Sequence, residues 1–130
     1  MGLILDTNFI VTAEREARRK GSDRIDRFLV DHADEALFIT FTVAGELACG
    51  QSASRRLDWE RLCEPYPVLP WTKEISWQYG EIYRALSASG QLIGTNDIWI
   101  AASALVHGMK VVTNNLSEFE RVPGLIVISY

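Results

Sequence analysis

Three of the 17 acidic residues in this 130-residue chain occupy positions where a carboxylate is unusual. Asp6 directly follows the apolar run 3–5. Glu46 lies within the small, apolar stretch 42–49, and Asp97 opens a segment rich in Ile and Ala. A half-buried carboxylate is costly unless it is paired or ligated. If the three converge, their oxygen atoms form a like-charged cluster that predicts a site for Mg²⁺ or Mn²⁺.

Each of these acids also has an ordinary structural explanation when it is taken alone. Asp97 can favour the N-terminal dipole of a helix, and Asp6 can be a capping residue at the end of a strand. Glu46 can lie on a half-exposed helix with its carboxylate in water. Convergence of all three at one edge of a sheet is therefore the observation that would favour a functional site.

Histidine and cysteine do not provide an alternative metal site. His32 and His107 are isolated in sequence, and His107 is suited to the C-terminal dipole of a helix. Cys49 and Cys63 lack Cys-x-x-Cys spacing, which favours a reduced cytosolic compartment. No apolar run approaches the roughly 20 residues needed to cross a bilayer, so we expect a soluble, cytoplasmic protein with no membrane segment.

Composition predicts one ordinary globular domain over residues 1–130. The chain is 48% hydrophobic and 23% charged, which excludes disordered, collagen-like and disulfide-scaffold proteins. Its net charge of −4 argues against a protein held to nucleic acid by global positive charge. It does not exclude a metal-dependent nuclease, in which the ion supplies local positive charge.

The residues around Asp6 predict a strand followed by a helix. An uninterrupted apolar run such as 3–5 is typical of a strand covered on both faces in a parallel sheet. Thr7 or Asn8 is suited to cap a helix that runs to about Lys20 and is closed by the following glycine. Asp6 is then at the carboxyl end of a strand, where open α/β sheets place their chemistry.

The other two acids are predicted on helices. Thr40 or Thr42 opens the helix that carries Glu46, and Asp97 lies in the first turn of a helix that ends before Gly108. The remaining predicted elements are a helix capped by Ser22 or Asp23, strands 36–39, 110–113 and 125–129, a short edge strand within 65–70, helices 54–63 and 73–88, and a short turn or helix at 116–120. In helix 73–88 the predicted apolar stripe consists of Ile75, Tyr79, Ile82, Tyr83 and Leu86.

This alternation of strands and helices predicts a three-layer α/β/α sandwich with a mostly parallel central sheet. Such a fold brings strand ends and helix N-termini to one edge. Thr113 and Asn115 follow a late strand and so belong to that edge, where they could hold a ligand carboxylate or water in place. The alternative for these two residues is an ordinary Asn-rich turn.

A basic stretch follows the first acidic position. Its members are Arg15, Arg18, Arg19, Lys20, Arg24 and Arg27. They form either a solvated face balanced by neighbouring acids or a rim that guides phosphate groups toward the acidic pocket.

Four segments in this order resemble the PIN-domain ribonucleases, and in particular the VapC-type toxins of toxin–antitoxin pairs. The segments are Asp6-Thr7-Asn8, Gly45-Glu46-Leu47-Ala48-Cys49-Gly50, Asn96-Asp97-Ile98-Trp99-Ile100-Ala101-Ala102, and Thr113-Asn114-Asn115 through Phe119. The match continues to Pro123-Gly124-Leu125-Ile126-Val127 and therefore covers nearly the whole chain.

The resemblance implies a Mg²⁺- or Mn²⁺-dependent endoribonuclease that cleaves RNA with a metal-activated water. Asp6, Glu46 and Asp97 match the three main metal-binding acids of the family. Asn115 falls where many members carry a fourth acid and others carry Asn, and Glu118 is a further possible ligand. Thr113 matches a supporting polar position, and the pair Thr7 and Asn8 matches the family's polar strand end.

The resemblance also implies partners. Toxins of this family resemble one another in forming homodimers and in being inhibited by a small antitoxin protein whose tail inserts near the carboxylates. The apolar surface of the first helices is the expected place for that partner. Two alternatives remain open at this point: a catalytically silent PIN-like module that binds RNA or protein, and an unrelated α/β hydrolase of phosphate esters.

Overall fold

A five-stranded parallel sheet forms the centre of the molecule. The computed structural model describes residues 2–19 and 24–130. The strands are β1 (Gly2–Leu5), β2 (Ala36–Thr40), β3 (Val68–Leu69), β4 (Lys110–Val112) and β5 (Val127–Ile128). Their order across the sheet is β3-β2-β1-β4-β5, and each neighbouring pair is parallel. This arrangement confirms the predicted parallel α/β fold and the edge position of the strand within 65–70.

Helices fill the connections and flank the sheet. They are α1 (Thr7–Ala17), α2 (Arg24–Asp31), α3 (Phe41–Ala48), α4 (Arg56–Cys63), α5 (Lys73–Ala88), α6 (Thr95–His107) and α7 (Leu116–Phe119), with a 3-10 turn at Gln51–Ala53. The predicted bounds of α5 are confirmed, whereas α1 ends at Ala17 and the helix predicted from residue 54 begins at Arg56. Lys20, the glycine after it, Ser22 and Asp23 lie outside the described residues.

The strand order creates a topological switch point beside β1. The chain moves from β1 through β2 to β3 on one side and returns through β4 to β5 on the other. In open α/β sheets, ligands bind at the carboxyl ends of strands where the order reverses in this way. Asp6 and Thr113 are the residues that directly follow the two strands at this point.

The predicted cap of α1 was wrong. Asp6 itself is the N-cap: its backbone is extended, and its Oδ1 accepts a hydrogen bond of 2.8 Å from the Phe9 amide. Thr7 is the first helical residue, so its hydroxyl is free to contact another element. An acidic side chain is among the best N-caps, because its oxygen satisfies an amide of the first turn.

The other caps follow ordinary helix chemistry. Thr40 caps α3 by accepting from the Val43 amide at 3.2 Å, as one of the two predicted choices. Helix α6 begins at Thr95. Its N-cap is Gly94, so no side chain caps this helix. Gly108 ends α6 in the left-handed conformation with φ of 64°, which glycine adopts without steric cost.

The core is apolar and continuous across both sides of the sheet. Its most buried members include Leu3, Ile4, Leu5, Phe9, Ile39, Ile75, Ile98, Ile100, Val111 and Val112. One predicted stripe residue, Tyr83, is 46% exposed, because α5 turns that position to solvent. Within residues 2–19 and 24–130, no helix is long and apolar enough to span a membrane.

Candidate metal centre

Asp6 is fixed at the carboxyl end of the central strand. Leu5 of β1 pairs with Val112 of β4, so the next residues, Asp6 and Thr113, lie side by side. The Thr113 hydroxyl donates a hydrogen bond of 2.6 Å to Asp6 Oδ2, and the Asp6 amide donates to the Val112 carbonyl at 3.2 Å. Both carboxylate oxygens of Asp6 are therefore oriented by the protein.

Burial dominates the electrostatics of Asp6. The residue is 6% exposed, and this desolvation raises the pKa of its carboxyl above the ordinary value of 3.8. Hydrogen bonds from Thr113 and from the Phe9 amide oppose the rise, and the negative charge of Glu46 adds to it. A buried carboxylate with an acidic neighbour is the environment that a bound cation stabilises.

Glu46 reaches the same edge from α3. Thr7 donates a hydrogen bond of 2.7 Å from its hydroxyl to Glu46 Oε1, which joins the start of α1 to α3. Glu46 is itself exposed, in contrast to Asp6. One oxygen of Glu46 is thus positioned by the protein, while the side chain faces solvent.

Asp97 lies in the first turn of α6 and is half-buried. Burial raises the pKa of Asp97 above its ordinary value of 3.8, and the negative charges of Glu118, Asp6 and Glu46 add to the rise, in that order of size; together these causes bring the pKa to about 6. A carboxyl in the first turn of a helix ordinarily benefits from the helix dipole. The upward direction at Asp97 therefore reflects its burial first and the surrounding acids second.

The turn after β4 contributes Glu118 to this group. The Asn115 side-chain amide donates a hydrogen bond of 3.0 Å to Glu118 Oε2, and the Asn115 backbone amide donates to Thr113 Oγ1 at 3.0 Å. Thr113 is fully buried, so it links the turn to Asp6. These contacts show Thr113 supporting Asp6, and Asn115 holding Glu118.

We call Asp6, Glu46, Asp97 and Glu118 the acidic cluster. Its donor set consists of carboxylate oxygens alone, which suits a hard divalent cation such as Mg²⁺ or Mn²⁺, and the negative charges of the neighbouring acids raise the pKa values of Asp6 and Asp97. The side chains are not gathered into ligand geometry: among the residues that the structure describes, no three His, Cys, Asp or Glu groups are placed to hold one metal ion. The cluster is therefore a group of neighbouring negative charges, and three of its four carboxylates accept hydrogen bonds, from Thr113, Thr7 and Asn115.

The structure divides the predicted basic stretch between two surfaces. Arg15, Arg18 and Arg19 line a surface pocket of about 330 Å³. Arg24 is directed elsewhere: it lies 3.6 Å from Glu16 Oε2, and its guanidinium lies over the Tyr130 ring at 5.5 Å. Arg27 is exposed on α2, Lys20 lies outside the described residues, and Asn8 is exposed in the first turn of α1.

Two contacts near the cluster had no signal in the sequence. Arg121 Nη1 donates to the carbonyl of Leu92 at 3.3 Å, which ties the segment after α7 to the loop before α6. Tyr130 packs its ring against Phe9 at 5.0 Å, and its amide donates to Asn114 Oδ1 at 3.1 Å. Both join residues that are distant in sequence, so local patterns carry no information about them.

The comparison with known proteins agrees with this geometry. A family model described as the PIN domain matches residues 3–125. Ribonuclease VapC1 of Haemophilus influenzae is 30% identical over 127 residues, which cover 94% of this chain and 92% of that protein. The chain belongs to the PIN-domain family, among the VapC ribonucleases. PIN ribonucleases are typically metal-dependent.

Solved structures support the same fold for this VapC-type chain. The structure of VapBC2 from Rickettsia felis, bound to a DNA fragment from its promoter, superposes with a TM-score of 0.82 at 22% identity and covers 100% of this chain and 99% of that one. VapBC-1 from nontypeable Haemophilus influenzae gives a TM-score of 0.75 at 27% identity, covering 99% and 98%. The predicted family, the PIN-like fold and the ribonuclease class of the toxin–antitoxin type are therefore confirmed.

Proposed function

We propose that this VapC-type ribonuclease is a Mg²⁺- or Mn²⁺-dependent endoribonuclease whose ion is held by Asp6, Asp97 and Glu46. The observation that carries the proposal is the placement of several carboxylates beside the buried Asp6 at the switch point of the sheet, where their negative charges act on Asp6 and Asp97. When bound, such an ion polarises a phosphoryl oxygen and lowers the pKa of a water molecule that attacks phosphorus. The proposal requires no protein nucleophile.

The chain's own residues then have separate tasks. Asp6 is the rigid member, because Thr113 and the first turn of α1 hold both of its oxygens. Glu46 is the exposed member, and Thr7 fixes one of its oxygens so that the other can orient the attacking water. Asp97 supplies the carboxylate most strongly affected by its acidic neighbours, and this charge favours a cation.

Glu118 is proposed as the fourth acid in place of Asn115. Asn115 lacks a charge, but its amide orients Glu118 Oε2 at 3.0 Å, and Glu118 is the charged neighbour with the largest effect on Asp97. We assign Asn115 a supporting role and Glu118 a role as ligand or as an outer carboxylate near the ion.

The decisive experiment replaces Asp97 with Asn and compares RNA cleavage in Mn²⁺, in Mg²⁺ and in EDTA. We expect the wild-type chain to cleave RNA only with a divalent ion and the variant to lose this cleavage, because Asn removes the charge while retaining the shape of the side chain. Calorimetry should detect Mn²⁺ binding to the wild type and weaker binding to the variant. Unchanged cleavage by the variant would refute the assignment, and absence of Mn²⁺ binding by the wild type would favour a catalytically silent module.

We further propose that a cognate antitoxin protein binds the apolar groove between α1 and α4. The groove is lined by Ile10, Ala13, Leu62, Pro65 and Tyr66, together with the charged residues Glu14 and Arg61. Helix α1, one of the first helices on which the partner is expected, supplies one wall of this groove. The two solved relatives described above are VapBC2 from Rickettsia felis and VapBC-1 from nontypeable Haemophilus influenzae. A basic side chain from such a partner could reach the acidic cluster and neutralise it.

Substitution at the groove tests this partner separately from catalysis. Leu62→Asp places a charge in the apolar lining, so we expect purified protein to cleave RNA normally and to escape neutralisation by the antitoxin encoded beside it. Lys73→Asp, at an exposed position at the start of α5, is the matched control. Neutralisation of the Leu62 variant at wild-type levels would show that the antitoxin binds elsewhere.

We also propose a homodimer that acts in the cytoplasm and in which each chain is one PIN domain over residues 1–130. Two exposed tryptophans support the dimer: Trp71 is 56% exposed before α5, and Trp77 is 63% exposed on it. Large exposed apolar side chains are typical of protein interfaces. Analytical ultracentrifugation of the wild type and of Trp77→Glu tests the dimer, which the substitution should weaken.

A further inference from the structure

Three arginines at and just after the end of α1 line a pocket between this helix and the 3-10 turn at Gln51–Ala53. We call this the arginine pocket; its lining consists of Val11, Glu14, Arg15, Arg18, Arg19 and Ser52, and its volume is about 330 Å³. Arg18 forms an ion pair with Glu14 at 2.6 Å, whereas Arg15 and Arg19 are exposed on the same rim. The pocket holds three arginines against one glutamate, while the whole chain has a net charge of −4.

The arginine pocket lies in line with the acidic cluster along α1. Thr7 binds Glu46 at one end of this helix, and Glu14 accepts a hydrogen bond of 3.5 Å from Ser52 further along it. These two contacts keep α3 and the 3-10 turn beside α1. Because a helix rises about 1.5 Å per residue, Arg15 lies roughly 12 Å along the axis from Thr7.

We propose that the arginine pocket binds a backbone phosphate of single-stranded RNA a short distance from the bond that is cut. The proposal rests on the ribonuclease function proposed above and names the path that its substrate takes. Arginine is suited to phosphate because its planar guanidinium donates two parallel hydrogen bonds. The carboxylates of the cluster repel RNA, so a nearby cationic site is needed to hold the strand.

A protein ligand is less well matched to this pocket than RNA. Glu14 lines both the arginine pocket and the groove proposed for the antitoxin, but the groove contains Leu62 and Tyr66 where the pocket contains Arg15 and Arg19. Most of the groove lining is therefore apolar or aromatic, whereas arginines form half of the pocket lining. Arginines at the end of a helix also compensate its dipole, a role that involves no ligand and that the experiments below distinguish.

The first experiment measures binding of a short, fluorescently labelled single-stranded RNA in an Asp97→Asn background, so that the RNA is not cut. In this background, Arg15→Gln/Arg19→Gln is compared with Arg56→Gln/Arg84→Gln, which removes two exposed arginines from α4 and α5. We expect Kd to rise about tenfold for the pocket variant alone. The slope of log Kd against log salt should fall by about 0.7, as for one phosphate of a single strand that is no longer neutralised.

The second experiment uses a gain of affinity, which a folding defect cannot produce. Glu14→Gln removes the negative charge beside Arg18 and leaves three unopposed arginines in the pocket. We expect this variant to bind the same RNA several-fold more tightly, with a steeper salt dependence. Glu60→Gln removes the acid of a comparable ion pair on α4 and should leave Kd unchanged.

The third experiment separates this inference from the proposed function. In the active protein with Mn²⁺, Arg15→Gln/Arg19→Gln should raise KM and leave kcat within about twofold of the wild type. The reason is that a phosphate held away from the cut bond is bound equally well in the ground state and in the transition state. Equal RNA binding by the pocket and control variants would overturn the phosphate site even if cleavage proceeds. Intact RNA binding together with lost antitoxin neutralisation would assign the pocket to the protein partner instead. If the wild type does not cleave RNA, the proposed function fails, while the binding measurements still decide the pocket.

Discussion

Thr113 donates a hydrogen bond of 2.6 Å to Asp6 across 107 positions of the chain. The contact exists because β1 and β4 are parallel neighbours that end at the same level. Thr113 also accepts from the Asn115 amide, so one buried hydroxyl connects the central strand end to the turn that carries Glu118. The Thr113 hydroxyl therefore supports the acidic cluster from the interior of the protein, and it would not itself contact the metal.

Replacement of Thr113 with Val should weaken metal binding without removing a ligand. Loss of the hydroxyl raises the pKa of Asp6 further, since that hydrogen bond now lowers it. It also leaves buried polar atoms unpaired, at a cost of about 1–3 kcal/mol in the free energy of unfolding. We expect Mn²⁺ affinity, measured by calorimetry, to fall about tenfold. Thr113→Ser keeps the hydroxyl and should stay near the wild type; equal Mn²⁺ affinity in the Val variant would contradict the role of Thr113.

The free energy of unfolding in EDTA should decrease as pH rises between about 4 and 6. The pKa of Asp97 is raised from 3.8 to about 6, so in this window the folded chain retains a proton that the unfolded chain has lost. The raised pKa of Asp6 acts in the same direction. Urea unfolding at several pH values measures the effect.

Two controls identify the groups that are responsible for this pH dependence. Asp97→Asn should reduce it and should stabilise the metal-free protein at neutral pH by about 1 kcal/mol, a value discounted for partial exposure. Mn²⁺ should restore stability to the wild type at neutral pH, because an ion that binds only the folded state shifts the equilibrium. A free energy of unfolding that increases over this window would show that other groups dominate.

Replacement of Asn115 with Asp should lower the stability of the metal-free protein and raise its affinity for Mn²⁺. The Asn115 amide donates to Glu118 Oε2 at 3.0 Å, and a carboxylate at this position would repel that oxygen. Thermal unfolding in EDTA should therefore occur at lower temperature than in the wild type, while Mn²⁺ binds more tightly because a fifth carboxylate joins the acidic cluster. Asn114→Asp adds the same charge at the neighbouring position and keeps the oxygen that accepts from the Tyr130 amide. If both variants behave alike, net charge alone explains the result.

Two glycines should respond in opposite ways to alanine. Gly108 has φ of 64°, so Gly108→Ala should lower the free energy of unfolding by about 1 kcal/mol. Gly45 lies within α3 without positive φ, and a Cβ there would meet no atom within 4 Å among the described residues. Gly45→Ala should therefore raise the free energy of unfolding by about 0.5–1 kcal/mol. Urea unfolding measures both changes, and a loss of stability in Gly45→Ala would contradict the open environment described for α3.

The sequence was most informative where structure depends on neighbouring residues. Helix α5 occupies Lys73–Ala88 as predicted, because the Thr72 cap and the apolar spacing are both local. Their unusual positions in the sequence singled out Asp6, Glu46 and Asp97, the resemblance to PIN domains matched the same three, and the structure places Asp6 and Glu46 near enough to Asp97 for their charges to raise its pKa. Their role as metal ligands remains a prediction.

The contacts that the sequence did not reveal either join residues that are distant in sequence or depend on which of two side chains binds the same backbone amide. Asp6 caps α1 in preference to Thr7, because its carboxylate reaches the Phe9 amide, and this leaves the Thr7 hydroxyl for Glu46. The basic stretch appeared continuous, yet α1 and α2 direct Arg15 and Arg24 to different surfaces. A residue list cannot show such a division, because it depends on how two helices pack.

Asp6 has two roles, as a helix cap and as a proposed metal ligand, and this combination has a consequence for mutants that arise under selection. Its carboxylate both begins α1 and belongs to the acidic cluster, so its loss removes a helix cap worth about 1 kcal/mol along with the proposed ligand. Cells that escape growth inhibition through Asp6 would then accumulate less of the chain, since a loosened fold is degraded faster. Escape through Asp97 would leave full amounts of a folded, inactive chain, which would still bind the antitoxin proposed above. We therefore expect the position of a single lost charge to determine whether a silenced toxin is depleted from the cell or persists and competes for that proposed inhibitor.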